Sequence, residues 1–172
     1  LIVFTDDIEL YVRPSKGRRH VLRGIREILY FQPKGRKTNI PGALHFLNGV
    51  TRRRSVAFLV SDFMANDYES ALRVANKRHD VVAVVVSDPR ESALPDVGLL
   101  SVRDAETGRE TLVNTGNSAV REDYAKAAVQ RAAERDMTLR RTRVDSIRVR
   151  TDRTYVDELY RFFRMREKRF VV

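Results

Sequence analysis

Two short runs with no polar residue inside them limit what this chain can fold into: Ser55 to Ser61 (SVAFLVS) and Asp80 to Ser87 (DVVAVVVS). A strand with one wet face alternates apolar and polar residues. A strand that is apolar at every position is covered on both faces, as in parallel sheets sandwiched between helices. Each run is too short to cross a bilayer, which takes ~20 residues as a helix. Between them, Tyr68 to Arg78 carries Ala71, Leu72 and Ala75 at helical spacing. Strand, helix, strand is the unit that builds a parallel sheet.

The flanking segments extend this pattern. Leu1 to Thr5 reads as a strand end. Asp6–Asp7 makes a turn, and Ile8 to Arg13 alternates, so a hairpin is expected. Arg18 to Tyr30 is an amphipathic helix, with Val21, Leu22, Ile25, Ile28 and Leu29 on one face and arginines on the other. Pro33 and Gly35 end it, and a polar loop runs through Thr38. Pro41 suits the first turn of a short helix reaching about Asn48. Residues 99–103 and 110–114 form a second hairpin around Glu106 to Arg109. Ser118 caps a long helix to about Arg140. Val144 to Arg150 is a strand, and Thr151 or Asp152 caps a last helix with Tyr155, Val156, Leu159, Phe162 and Phe163 as its apolar stripe. The expected fold class is α/β, a three-layer sandwich with a mostly parallel sheet. It forms a single domain over residues 1–172, the C-terminal portion of a longer protein.

Charge and composition narrow the function. The 172-residue chain has no cysteine, which excludes disulfides, thiolate zinc sites and cysteine nucleophiles. Its net charge of +10 is uneven: +8 in residues 1–54, −4 in residues 55–117 and +6 in residues 118–172. The basic clusters are short and fall at helix ends and in loops, where solvated cations are ordinary. A basic surface for nucleic acid or anionic lipid headgroups is therefore the alternative reading, not the leading one. His20, His45 and His79 have no metal-ligand spacing, and structural roles are expected for them. There is no GxSxG elbow, no GxxxxGK[ST] loop and no GxGxxG. No nucleophile–base constellation is visible, so the chain reads as non-enzymatic.

Ligands of open α/β sheets sit beyond the C-terminal ends of the strands. That rule singles out Asp6, Asp7, Asp62, Asp88 and the loop bearing Thr38. A hydroxyl and a carboxylate are hard oxygen donors suited to Mg²⁺ or Mn²⁺.

Several strings resemble the domain of unknown function 58 family, which has a von Willebrand factor A-like core. They are FTDDIELYVRPSKGRRHVLRGIREIL, RRRSVAFLVSDFM, ALRVANKRHDVVAVVVSDPRESALPDVGLL, DAETGRETLVNT and VRTDRTYVDELYRFFRMREKR, in order along nearly the whole chain. The resemblance implies a metal-ion-dependent adhesion site built from an Asp-x-Ser-x-Ser motif, a threonine and an aspartate. Thr38 resembles that threonine and Asp62 that aspartate. Asp-x-Ser-x-Ser is absent from the sequence, so the first strand and helix of such a fold are missing here. Any Mg²⁺ or Mn²⁺ is then expected to bind weakly or not at all. The missing strand lies between the strand at Leu1 to Thr5 and that at Ser55 to Ser61. These two are expected to pair directly, or to accept a strand from a second copy in a swapped homo-oligomer. The resemblance further implies a bacterial protein-interaction module working with a MoxR-type AAA+ ATPase in complex assembly. It would act in the cytoplasm or at the cytoplasmic face of a membrane, and the full-length protein can be membrane-anchored.

Overall fold

The central strand divides the protein into two packing layers. In the computed structural model, which describes residues 1–104 and 107–170, that strand is β4 (Asp80–Ser87). Its odd-numbered residues Val81, Ala83 and Val85 point into one core. Its even-numbered residues Val82 and Val84 point into another. The period of two along a strand makes this partition automatic. β4 therefore has the two-sided cover that its unbroken apolar sequence requires.

β3 (Val56–Ser61) and β7 (Asp145–Arg150) flank β4, both parallel to it, in the order β3-β4-β7. The register runs from Val56 opposite Asp80 to Ser61 opposite Val85, and from Val82 opposite Asp145 to Ser87 opposite Arg150. Helices α2 (Ile40–Val50), α3 (Glu69–Arg78) and the end of α4 (Ser118–Arg141) close the first core, with Ile40, Leu44, Leu72, Ala75 and Leu139 against the sheet. Helix α5 (Val156–Phe170) closes the second, placing Phe162 and Leu159 on Val82, Ile147 and Val149. Helices on both faces of a parallel sheet give the three-layer α/β arrangement expected from the sequence.

One ionic clamp fixes α5. The Arg166 guanidinium donates to both oxygens of Asp80 (2.7 and 2.6 Å) and to Asp145 (3.1 and 3.0 Å). Planar fork geometry suits such two-point pairing. The hydrogen bonds from Arg166 hold the Asp80 carboxyl below its ordinary pKa, outweighing its partial burial.

Two hairpins stand outside the parallel sheet. β1 (Ile2–Phe4) and β2 (Ile8–Tyr11) pair antiparallel and precede helix α1 (Arg18–Leu29). β5 (Leu99–Arg103) and β6 (Glu110–Asn114) form the second ribbon, with Gly108 in its turn at φ 70°. Glu106 of that turn lies outside the described residues.

Four expectations are corrected. β1 does not pair with β3: β1 bonds only β2, and β3 only β4, so each keeps an open edge among the described residues. The cap of α4 is Asn117, not Ser118, because the Asn117 side chain accepts from the Ala119 N–H at 2.9 Å. Neither Thr151 nor Asp152 caps α5. Thr151 donates to Asp88, and Asp152 takes two hydrogen bonds from Arg150. Finally, β3 is not covered on both faces. Val56, Phe58 and Val60 are about half exposed, and so are Tyr155, Val156 and Phe163 of the α5 region. Helix α5 lies over β7 and β4 and reaches β3 through Phe163, whose ring stands 6.3 Å from that of Phe58, so this face of β3 is only partly covered.

Candidate functional site

Asp62 stands at the C-terminal end of β3, where a parallel sheet exposes its ligand-binding rim. Its Oδ1 accepts from the Met64 N–H at 3.0 Å and lies 3.4 Å from the Ser61 hydroxyl, which in turn accepts from the Phe63 N–H at 3.1 Å. These bonds fold the chain sharply after the strand. Phe63 adopts φ 59°, a left-handed conformation costly for a large side chain. The ring offsets this by burial: it is 5% exposed and meets the Tyr68 ring edge-on at 5.6 Å between centroids. A buried phenylalanine thus locks the turn that presents Asp62.

Thr38 arrives by a different route. Its loop has little apolar content and is held by carboxylates of the first hairpin. Glu9 accepts from the backbone N–H groups of Lys34 (2.9 Å to the nearer oxygen) and Gly35 (2.9 Å), and from the Thr5 hydroxyl. Asp6 accepts from the Lys37 N–H at 2.7 Å, and the Asn39 N–H donates to the Thr5 carbonyl at 2.8 Å. The Thr5 hydroxyl above all, then the Gly35 and Lys34 amides, pull the Glu9 carboxyl below its ordinary pKa. Gly35 is required by space: a Cβ there would collide with Thr5 Oγ1 and lie 2.7 Å from Asp6 Oδ1.

The two residues border a common space. Thr38 and Asp62 both line a cleft of about 850 Å³ bounded by β1 on one side and β3 on the other, with Leu44 and Leu47 of α2 behind it. Asp62 also borders a second cavity of about 510 Å³, walled by Tyr68, Asp88, Arg131 and Arg135. It therefore occupies the ridge between two hollows. The donor pair fits a hard cation in kind, since hydroxyl and carboxylate oxygens are Mg²⁺ and Mn²⁺ ligands. It falls short in number. Among the described residues no three histidine, aspartate or glutamate side chains converge to hold a metal.

Of the other strand-end acids, Asp6 anchors the Thr38 loop. Asp88 caps a single 3₁₀ turn at Pro89–Glu91, accepting from the Arg90 N–H at 2.9 Å and from the Thr151 hydroxyl, which depresses its pKa. Both act as local acceptors for backbone and hydroxyl donors.

The chain matches the family model described as "Protein of unknown function DUF58" over residues 1–134. It belongs to this DUF58 family. An uncharacterized protein of Mycobacterium avium is 31% identical over 159 residues, which cover 90% of this chain and 94% of the relative. An uncharacterized protein of Mycobacterium tuberculosis is 34% identical over 157 residues, which cover 88% of this chain and 49% of the relative. The chain thus spans nearly all of the first relative and about half the length of the second. Among solved structures, it resembles an aerotolerance-related membrane protein from Bacteroides fragilis at 15% identity and TM-score 0.49, over 92% of this chain and 74% of that one. It also resembles the conserved hypothetical protein BatB from Bacteroides thetaiotaomicron at 17% identity and TM-score 0.46, over 92% and 73%.

Within this DUF58 chain, sequence reasoning missed Glu9 and Gly35, which hold the Thr38 loop. Glu9 sits at an outward position of an alternating strand, which reads as solvated surface. Its partners lie 25 and 26 residues away, and no local pattern signals that contact.

Proposed function

We propose that this DUF58 chain is a protein-interaction module rather than an enzyme, and that it binds its partner at the rim that Thr38 and Asp62 both border. The single observation supporting this is that Thr38 and Asp62 line one cleft, which runs along β3 to its C-terminal end. They reach it on separately braced turns: one locked by the Phe63 ring, the other stapled by Glu9. A divalent cation such as Mg²⁺ or Mn²⁺ would be held by Thr38 and Asp62, and its chemistry would be to attract a further oxygen donor. An acidic side chain of the partner suits that vacancy, because a hard cation takes about six oxygens and this pair supplies two. The resemblance stated above makes a MoxR-type AAA+ ATPase the partner to try first. No nucleophile paired with a general base is found among the described residues at this rim, which favours recognition over turnover.

The test is binding of the full-length protein to its cognate ATPase with Mg²⁺ and with chelator. We expect binding that chelation weakens and that Thr38→Ala with Asp62→Ala abolishes. Binding indifferent to both would remove the metal-assisted reading.

A further inference from the structure

Helix α1 wears its apolar face on the outside. None of its residues is buried. Val21, Leu22, Ile25, Ile28 and Leu29 lie within one third of the helical circumference at 100° per residue, and they are between 48% and 74% exposed. The least exposed positions, His20, Gly24 and Glu27, fall on a different stripe at i, i+4 and i+7. An amphipathic helix ordinarily turns its aliphatic stripe toward the core; this one presents it to the surroundings. Arg19, Arg23 and Arg26 border the stripe along one side, with Lys16 and Arg18 at the start, and Tyr30 follows its end at 79% exposure. The helix carries a single acid, Glu27, already shared between Arg23 and Arg26 at 3.7 Å each.

We propose that α1 is an interfacial helix that seats this domain on an anionic lipid bilayer. A helix lying in a membrane interface needs an aliphatic stripe to enter the acyl boundary, cations beside it to meet acidic headgroups, and often an aromatic hydroxyl at headgroup level. All three are present on about three turns of helix. Charge selects this occupant over the others. A second copy would bring the same cations against these cations. Nucleic acid would take the arginines but leave five aliphatic side chains in water. The seat is carried by the stripe as a whole, of which Ile28 alone also borders the cleft that Thr38 and Asp62 line.

The experiment is flotation of the 172-residue chain with vesicles of phosphatidylcholine alone or with roughly one-third phosphatidylglycerol. We expect flotation only with the anionic vesicles, weakening as salt rises. Reversing Arg19, Arg23 and Arg26 to Glu lowers partitioning by at least about a hundredfold. Ile25→Asp with Ile28→Asp abolishes it. All five positions are exposed, so the variants should melt with the parent. The chain has no tryptophan, so Leu22→Trp gives a unique reporter whose emission shifts to the blue on anionic vesicles. A control reversing the exposed Arg140, Arg141 and Arg143 at the end of α4 to Glu removes equal charge elsewhere. Equal loss in that control, unshifted tryptophan emission in floated protein, or no flotation at all would each overturn the proposal. So would α1 variants that bind vesicles normally but lose affinity for single-stranded RNA.

Discussion

β4 and β3 are neighbours in one sheet with nearly the same apolar composition, yet they live in different surroundings. β4 has one row buried under α3 and α2, and the other, with Val82 buried and Val84 partly so, under α5. β3 has Leu59 buried in the first core, but its other row, Val56, Phe58 and Val60, lies half open, and one of its edges pairs with nothing described. The same residue types therefore contribute stability in one strand and a reactive surface in the next. Burial, not hydrophobicity, decides which, because only area removed from water stabilises.

Matched truncations expose that contrast most strongly. Val82→Ala, at a fully buried position on β4, should cost about 2–3 kcal/mol. Val60→Ala, on the half-open row, should cost well under about 1 kcal/mol. Chemical denaturation of both variants measures the difference, and equal losses would mean that β3 is covered in solution. Next in size is Arg166→Leu, which leaves Asp80 and Asp145 without the clamp and should cost about 2–3 kcal/mol, discounted from a fully buried pair because the groups are partly exposed.

The clamp and the core also differ in how they answer pH. Asp80 has a folded pKa below its ordinary 3.8. Its contribution is present above that value and lost as pH falls through the lowered one. Acid unfolding below about pH 4 should therefore be less steep in Arg166→Leu than in the parent. His79 is 0% exposed with neither ring nitrogen hydrogen-bonded, and burial holds its pKa below the ordinary 6.5. The unfolded chain takes up the proton first, so stability should decline as pH falls below about 6.5 until the folded pKa is reached. His79→Leu should flatten that slope in melting temperature measured from pH 7 to 5.

The smallest thermodynamic effect belongs to Val60→Lys. Stability should change by about 0.5 kcal/mol or less, whereas self-association should fall, since a charge beside an open edge discourages strand addition. Sedimentation against protein concentration reads this directly. If the parent forms a strand-swapped dimer, the variant shifts it toward monomer. A parent that stays monomeric at every concentration would count against swapping.

Much of this architecture was legible in the sequence. β4 runs from Asp80 to Ser87, and β5 and β6 from 99 to 103 and 110 to 114, where the apolar runs and turn residues put them. Periodicity reports that a face is apolar but not what lies against it. That is why the outward stripe of α1 and the half-open row of β3 were not foreseen: both depend on neighbours far along the chain. Caps failed for a related reason. Ser118 and Asp152 are good capping residues, but Asn117 stands just before α4 while Ser118 is already its first helical residue, and Arg150 claims Asp152. At the candidate site, residue type and place singled out Thr38 and Asp62, and the fold adds only that both border one cleft. The braces that aim them were not readable, since Glu9 acts across the fold.

Glu9 has one mechanical consequence. It belongs to the strand beside β1, and its carboxylate grips the main chain at Lys34 and Gly35, three to four residues from Thr38. Hairpin and loop therefore travel as one body, like a latch riveted to its hinge plate. Anything that comes to rest along the vacant margin of β1 and tilts that ribbon carries the threonine with it, while Asp62, fastened to the sheet, stays where it is.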